Sequence, residues 1–192
     1  MAQPLEKKLF YTKNEYLEME AAADCRSEYY SGEIFAMSGG TPRHSIICLN
    51  LNRGIWEATR DKDCTGFESN MKVEIAPADA YVYPDVSVVC GEIELAENTR
   101  DAITNPVLII EVLSPGTESF DRGMKFEYYR MLASVKEYVM VSQDQPRVET
   151  YFRQDENIWQ YRVVRGLDQT AVLQSLEYKI ALKDIYHKVL FD

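Results

Sequence analysis

The sequence predicts an α/β fold in which helices cover a β-sheet, and three features carry that expectation. They are two capped helical segments near the start, two nearly unbroken apolar runs in the middle and an alternating hairpin toward the end. The first helix is announced by Thr12-Lys13-Asn14-Glu15, where the Thr12 hydroxyl and the Glu15 carboxylate can satisfy each other's free backbone N–H groups; it should run to about residue 23. Residues 27–37 alternate loosely around Ser31-Gly32, which predicts a hairpin with Glu33 on its second strand. A second helix opens at Thr41-Pro42, threonine as cap and proline at the first helical position, where its missing N–H costs nothing. Ile47, Cys48, Leu51 and Ile55 give this helix an apolar stripe, and His44 falls on it.

Residues 81–89 and 107–113 read as strands of a sheet covered on both faces. Alternation places Val107, Ile109, Glu111 and Leu113 on one face of the later strand, and groups Tyr81, Tyr83, Asp85, Ser87 and Val89 on the earlier one. Ser114-Pro115-Gly116-Thr117 is a turn, and residues 119–134 read as a helix with Asp121 and Lys125 one turn apart. A buried strand over 137–141 precedes a C-terminal hairpin formed by 147–152 and 159–163, and 173–191 mixes strand with short helix.

Composition narrows the function. The 192 residues, 46% of them hydrophobic, suit one domain spanning 1–192 with an ordinary core. Asp plus Glu number 31 against 21 Lys plus Arg, a formal charge of -10, so indiscriminate binding of polyanions is disfavoured unless a basic groove or bound cations reverse the local sign. The N-terminal segment lacks a secretory leader's apolar core, and no stretch approaches the ~20 apolar residues of a membrane span, so a cytoplasmic protein is expected. Cysteines 25, 48, 64 and 90 match neither zinc-knuckle nor redox spacing and are expected to be buried reduced thiols. Phosphate-cradling loops, His-Glu-x-x-His and dinucleotide fingerprints are absent, which sets aside nucleotide hydrolases, zinc proteases and simple dehydrogenases. Ser114 sits in a turn with no nucleophile elbow around it.

Glu111 is the most informative residue, because an ionised side chain inside an aliphatic strand must be paired, protonated or metal-bound. The bland alternative is an ion pair with a cation from a covering helix. Asp85, after Pro84, lies far enough upstream for the chain to bring it into a neighbouring strand, although an isolated Pro-Asp is usually a turn or strand end. If the two carboxylates converge, a divalent cation would relieve their repulsion, and oxygen ligands select Mg2+ or Mn2+ over Zn2+. His44 could shuttle a proton, and Arg43 beside it lies at a helix start that favours phosphate. Asp121 and Lys125, taken alone, are an exposed pair worth about 0.3 to 0.5 kcal/mol.

Tyr29-Tyr30-Ser31-Gly32-Glu33, His44, Pro84-Asp85, Glu111-Val112-Leu113-Ser114-Pro115, Asp121, Lys125, Tyr129 and Glu137-Tyr138, in that order, resemble the Uma2 family of the PD-(D/E)XK restriction-endonuclease-like superfamily. The resemblance implies a restriction-endonuclease-like core, a mixed β-sheet flanked by helices, with Asp85, Glu111 and the Val112 carbonyl holding Mg2+ or Mn2+ and Glu33 as a third acidic ligand. Leu113 stands where the superfamily pattern has its lysine, and Lys125 on the following helix is the matching residue for that role. The activity implied is metal-dependent phosphodiester hydrolysis, with Asp85, Glu111, Lys125 and His44 catalytic. A basic strip including Arg43, Arg122, Lys125 and Arg130 would face nucleic acid, DNA in preference to RNA, in a homodimer. The alternative is a nuclease scaffold surviving as a binding or interaction module without catalysis, and a metal-assisted hydrolase for another anionic substrate uses the same carboxylates.

Overall fold

The computed structural model describes residues 10–37 and 39–191. The opening segment expected to lack a leader lies largely outside the described residues.

Helix α1 (Lys13–Ala22) starts from the expected capping box, Thr12 and Glu15 each bonding the other's backbone N–H. A hairpin of β1 (Ser27–Tyr30) and β2 (Glu33–Ala36) turns through Ser31 and Gly32 at φ 45° and 95°. Both values lie in the left-handed region that this tight turn requires, which explains the glycine. A Cβ on Gly32 would also sit 2.9 Å from the Phe10 ring. Helix α2 (Pro42–Thr59) begins as predicted, with the Thr41 hydroxyl accepting from the His44 backbone N–H.

The strands that follow are β3 (Cys64–Glu68), β4 (Lys72–Ile75), β5 (Ala80–Val82), β6 (Val86–Cys90), β7 (Ala102–Ile103) and β8 (Leu108–Leu113). The chain then runs through a helical segment in three pieces: α3 (Glu118–Phe120), a π turn (Asp121–Lys125) and α4 (Phe126–Arg130). Strands β9 (Glu137–Ser142), β10 (Arg147–Arg153), β11 (Trp159–Arg165), β12 (Thr170–Leu173) and β13 (Tyr178–Ala181) precede α5 (Leu182–Ile185).

The central sheet has six strands in the order β11-β10-β9-β8-β6-β3. Only β8 and β9 pair in parallel, so it is mixed, and the helical segment of 118–130 lies in the crossover that parallel pairing demands. Alternation sorts its side chains. Val86, Val88, Leu108, Ile110, Val112, Val139 and Val141 pack with α2, α5 and the β12–β13 hairpin. Ile109, Leu113, Tyr138 and Met140 pack on the other side with Phe126 and Tyr129 of α4. Those residues also meet Tyr30, Val73, Ile75, Val82 and Ile103 from a second, five-stranded sheet ordered β2-β1-β5-β4-β7. Glu111 alternates with Ile109 and Leu113, so it belongs to this second core. A mixed sheet flanked by helices, the restriction-endonuclease-like architecture, is what the chain adopts.

Three expectations are corrected. The strand expected over 81–89 is broken at Tyr83-Pro84-Asp85, leaving β5 in the five-stranded sheet and β6 in the six-stranded one. Proline has no N–H for a ladder bond, so it marks the point where the chain changes sheets. The helix expected over 119–134 ends at Arg130 and contains the π turn. The cysteines are not four buried thiols either: Cys64 and Cys90, directly opposed across β3 and β6, form a disulfide, while Cys25 is exposed and Cys48 half-buried. Among the described residues no helix is long and apolar enough to cross a membrane.

Candidate active site

The apolar run of β8 buries Glu111, and its carboxylate is met by two side chains from the covering helical segment. Lys125 Nζ stands 2.9 Å from Oε1, and the Tyr129 hydroxyl donates to the same oxygen at 3.3 Å. The π turn brings two ionisable groups of the helical segment, Asp121 and Lys125, inward. Asp121 and Lys125 are only 4% and 5% exposed and 3.9 Å apart, so they are not the exposed pair expected from their spacing. The Tyr138 hydroxyl donates to the Asp121 carbonyl inside that turn.

Lys125 has a second partner that the sequence analysis did not single out. Glu28 of β1 lies 3.1 Å from Nζ, and its carboxylate also accepts from the Tyr30 hydroxyl and the Tyr83 backbone N–H. Glu33, expected as the third acidic ligand, is exposed. The hairpin register explains the exchange: Tyr30 opposes Glu33 and Glu28 opposes Phe35, so all four share a face. Glu33, however, sits at the turn end of the edge strand, beyond the core. Stepping back two residues from the buried Tyr30 would have pointed to Glu28.

Asp85, in the link between the two sheets, accepts from the Val112 backbone N–H at 2.7 Å. Its other oxygen lies 3.3 Å from His44 Nε2 and 3.6 Å from Cys48 Sγ. His44 is held from behind. Thr41, which caps its N–H, donates to the Gln143 side-chain oxygen at 2.7 Å, and Gln143 in turn donates to the Leu113 carbonyl at 2.8 Å. Asp85, Glu111, Val112, Lys125 and His44 are therefore brought together.

The basic strip is not assembled in the same way. Arg122 is committed to Glu118 and Glu149, at 2.7 Å each, and Arg130 pairs with Glu127 at 2.7 Å while covering the Phe126 ring. Both guanidinium charges are met by acids on the protein itself, which removes most of the field expected of them. Arg43 is half-buried in the first turn of α2.

The electrostatics follow from crowding. Burial pushes the Glu111 carboxyl well above the usual carboxylate range; Lys125 opposes the shift, and Asp121, Asp85 and Glu28 add to it. Asp121 is raised for the same reason, burial outweighing Lys125. Burial alone would lower Lys125, but Glu111 and Glu28 hold it charged. The bond to Asp85 raises His44 against the opposing effect of burial. Burial pushes up the Cys48 thiol, with Asp85 adding.

Four carboxylates thus stand within electrostatic reach of one buried ammonium and one imidazole. Glu28 and Glu111 meet at Lys125 Nζ, whereas among the described residues Asp85 has its ligand oxygen grouped within 4.8 Å with His44 and Cys48. Carboxylate oxygens such as these are the donors that suit Mg2+ or Mn2+.

Comparison with known proteins agrees with the sequence resemblance. The Uma2 family model, described as "Putative restriction endonuclease", matches residues 14–183. Two proteins of Synechocystis sp. are similar: sll1609, 36% identical over 148 residues, covering 77% of this chain and 84% of the relative, and slr1290, 33% identical over 177 residues and 92% of each. Among solved structures, a "putative nuclease belonging to DUF820" from Anabaena variabilis superposes with a TM-score of 0.76 at 20% identity, over 94% of this chain and 99% of that one, which establishes the shared fold.

Proposed function

The chain belongs to the Uma2 family, and on that premise we propose that it is an endonuclease dependent on Mg2+ or Mn2+ that hydrolyses phosphodiester bonds in DNA, working as a homodimer. The observation that carries this reading is the gathering of Glu28, Glu111 and Asp121, from three separate segments, around Lys125, with Asp85 near enough to Glu111 to help raise its carboxyl. A purely structural ion pair needs one acid, and the remainder are surplus unless a cation joins them.

Asp85, Glu111, Glu28 and the Val112 carbonyl hold the metal in this reading. The bound ion supplies a water of lowered pKa and offsets the charge of the phosphodiester. Lys125 takes the role of the missing strand lysine: Leu113 leaves its strand position apolar, and the ammonium reaches Glu111 from the covering segment instead. Held by Glu111 and Glu28, it directs an N–H toward the attacking oxygen and the phosphorane charge that develops. In this reading His44, raised by its bond to Asp85, passes a proton to the departing oxygen. The Thr41–Gln143–Leu113 chain fixes the start of α2 against the end of β8 and so holds the imidazole in place.

The test is plasmid DNA incubated with the purified protein and Mg2+ or Mn2+, beside Asp85→Asn and Glu111→Gln. Cutting by the natural sequence that disappears in both variants supports the reading. Equal cutting by all three proteins exposes a contaminant, and no cutting across metals and salt concentrations favours the non-catalytic binding module, which the neutralised Arg122 and Arg130 would suit.

A further inference from the structure

On α2, His44 and Cys48 are one helical turn apart and both lean on Asp85. Cys48 Sγ lies 3.4 Å from His44 Nδ1 and 3.6 Å from Asp85 Oδ1, and His44 Nε2 lies 3.3 Å from that same oxygen. Ligand atoms of all three residues fall within 4.8 Å of one another. One ion takes one imidazole nitrogen, and with one ligand atom from each residue the separations stay within 4.8 Å. Neighbouring corners of a tetrahedral site with bonds of about 2.0 to 2.3 Å are roughly 3.3 to 3.6 Å apart, so a modest side-chain movement closes the site. The donor set also differs in kind from that around Glu111. One nitrogen, one sulfur and one oxygen select a borderline transition ion, whereas four oxygens select a hard one.

We propose that His44, Cys48 and Asp85 form a distinct site for a divalent transition metal of the Zn2+ class, with three protein ligands and a fourth position open to water or an anion. The inference goes beyond the endonuclease reading and does not need it. The two sites share Asp85, so a Zn2+-class ion and Mg2+ compete for that carboxylate. On binding, the Cys48 S–H bond breaks, a sulfur–metal bond forms, and the proton leaves to solvent. The thioether of a methionine or the hydroxyl of a serine at position 48 would not supply this thiolate. The competing explanation is that Cys48 only fills the edge of the α2 core, against which it packs.

The test uses the full chain in a Cys25→Ser background, which removes the exposed free thiol while Cys64 and Cys90 stay joined. Titration with Co2+ should give a thiolate-to-cobalt charge-transfer band at one equivalent, bleached by Zn2+. Cys48→Ser should abolish the band and weaken Zn2+, measured by chelator competition, at least about tenfold. His44→Asn should weaken Zn2+ similarly, and Glu111→Gln should keep the band. Thermal melts show whether each variant is folded. Absence of the band in the parent, or a band unchanged by Cys48→Ser, overturns the site. None of these measurements reads DNA cutting, so failure here and failure of the endonuclease reading are separately visible.

Discussion

Three glutamates are buried on successive strands of the six-stranded sheet, and they are treated in opposite ways. Glu137 of β9 accepts the backbone N–H groups of Gln174 and Ser175 at 3.1 and 2.9 Å and the Ser175 hydroxyl at 2.7 Å. Glu149 of β10 faces two guanidinium groups, Arg122 at 2.7 Å and Arg147 at 3.0 Å, and the Tyr161 hydroxyl. Burial pulls each upward. Glu137 is raised even so, whereas Arg122, Tyr161 and Arg147 bring Glu149 below its ordinary value. Glu111 has one ammonium, shared with Glu28 and Asp121, and is raised furthest out of the carboxylate range. An acid that anchors structure is oversupplied with donors; the acid at the candidate site is undersupplied and surrounded by its own kind. That contrast separates a site from a strut better than burial does.

The sharpest way to break the contrast is to neutralise each acid. Glu111→Gln should reduce metal-dependent plasmid cutting at least about a hundredfold while leaving the melting temperature level or higher, because it removes a crowded charge. Loss of stability with retained cutting would reverse the assignment. Lys125→Met should be the most destabilising single change in the cluster, about 3 to 5 kcal/mol, because Glu111, Glu28 and Asp121 then lack their common cation. Mn2+ should recover part of that loss in denaturant titrations, and no recovery would count against a metal held by these acids. Glu137→Gln should cost roughly 1 to 3 kcal/mol with no metal dependence, since an amide cannot accept all three donated bonds.

The smallest effect concerns acid. Glu149 has a folded pKa below its ordinary 4.5, so its stabilising contribution is complete above that value and is lost as the pH falls through the folded pKa. Melting temperature followed below pH 4.5 should therefore decline less steeply in Glu149→Gln than in the natural sequence, and parallel slopes would remove Glu149 from the account.

Much of this was legible beforehand because it rests on local rules. The capping box at Thr12, the Thr41-Pro42 helix start, the Ser31-Gly32 turn and the carboxylate in the aliphatic run of β8 each have a one-dimensional signature. Of the two readings weighed for Glu111, the structure contains the ion pair with a cation from the covering segment, and that cation is Lys125. What stayed hidden depends on pairing between distant segments. Telling Glu28 from Glu33 required knowing that Tyr30 is buried and that β2, not β1, is the edge strand of the hairpin. The disulfide required β3 and β6 to be neighbours in matching register. The π turn changes which faces Asp121 and Lys125 share, and side-chain periodicity of an ordinary helix does not report it.

The Lys125 ammonium grips Glu28 from the five-stranded sheet with one N–H and Glu111 from the six-stranded sheet with another. It is therefore a rivet through two plates. Parting them exposes three charged groups at once, so amide hydrogens of β1 and β8, though they lie in different ladders, should exchange with solvent in a single concerted opening.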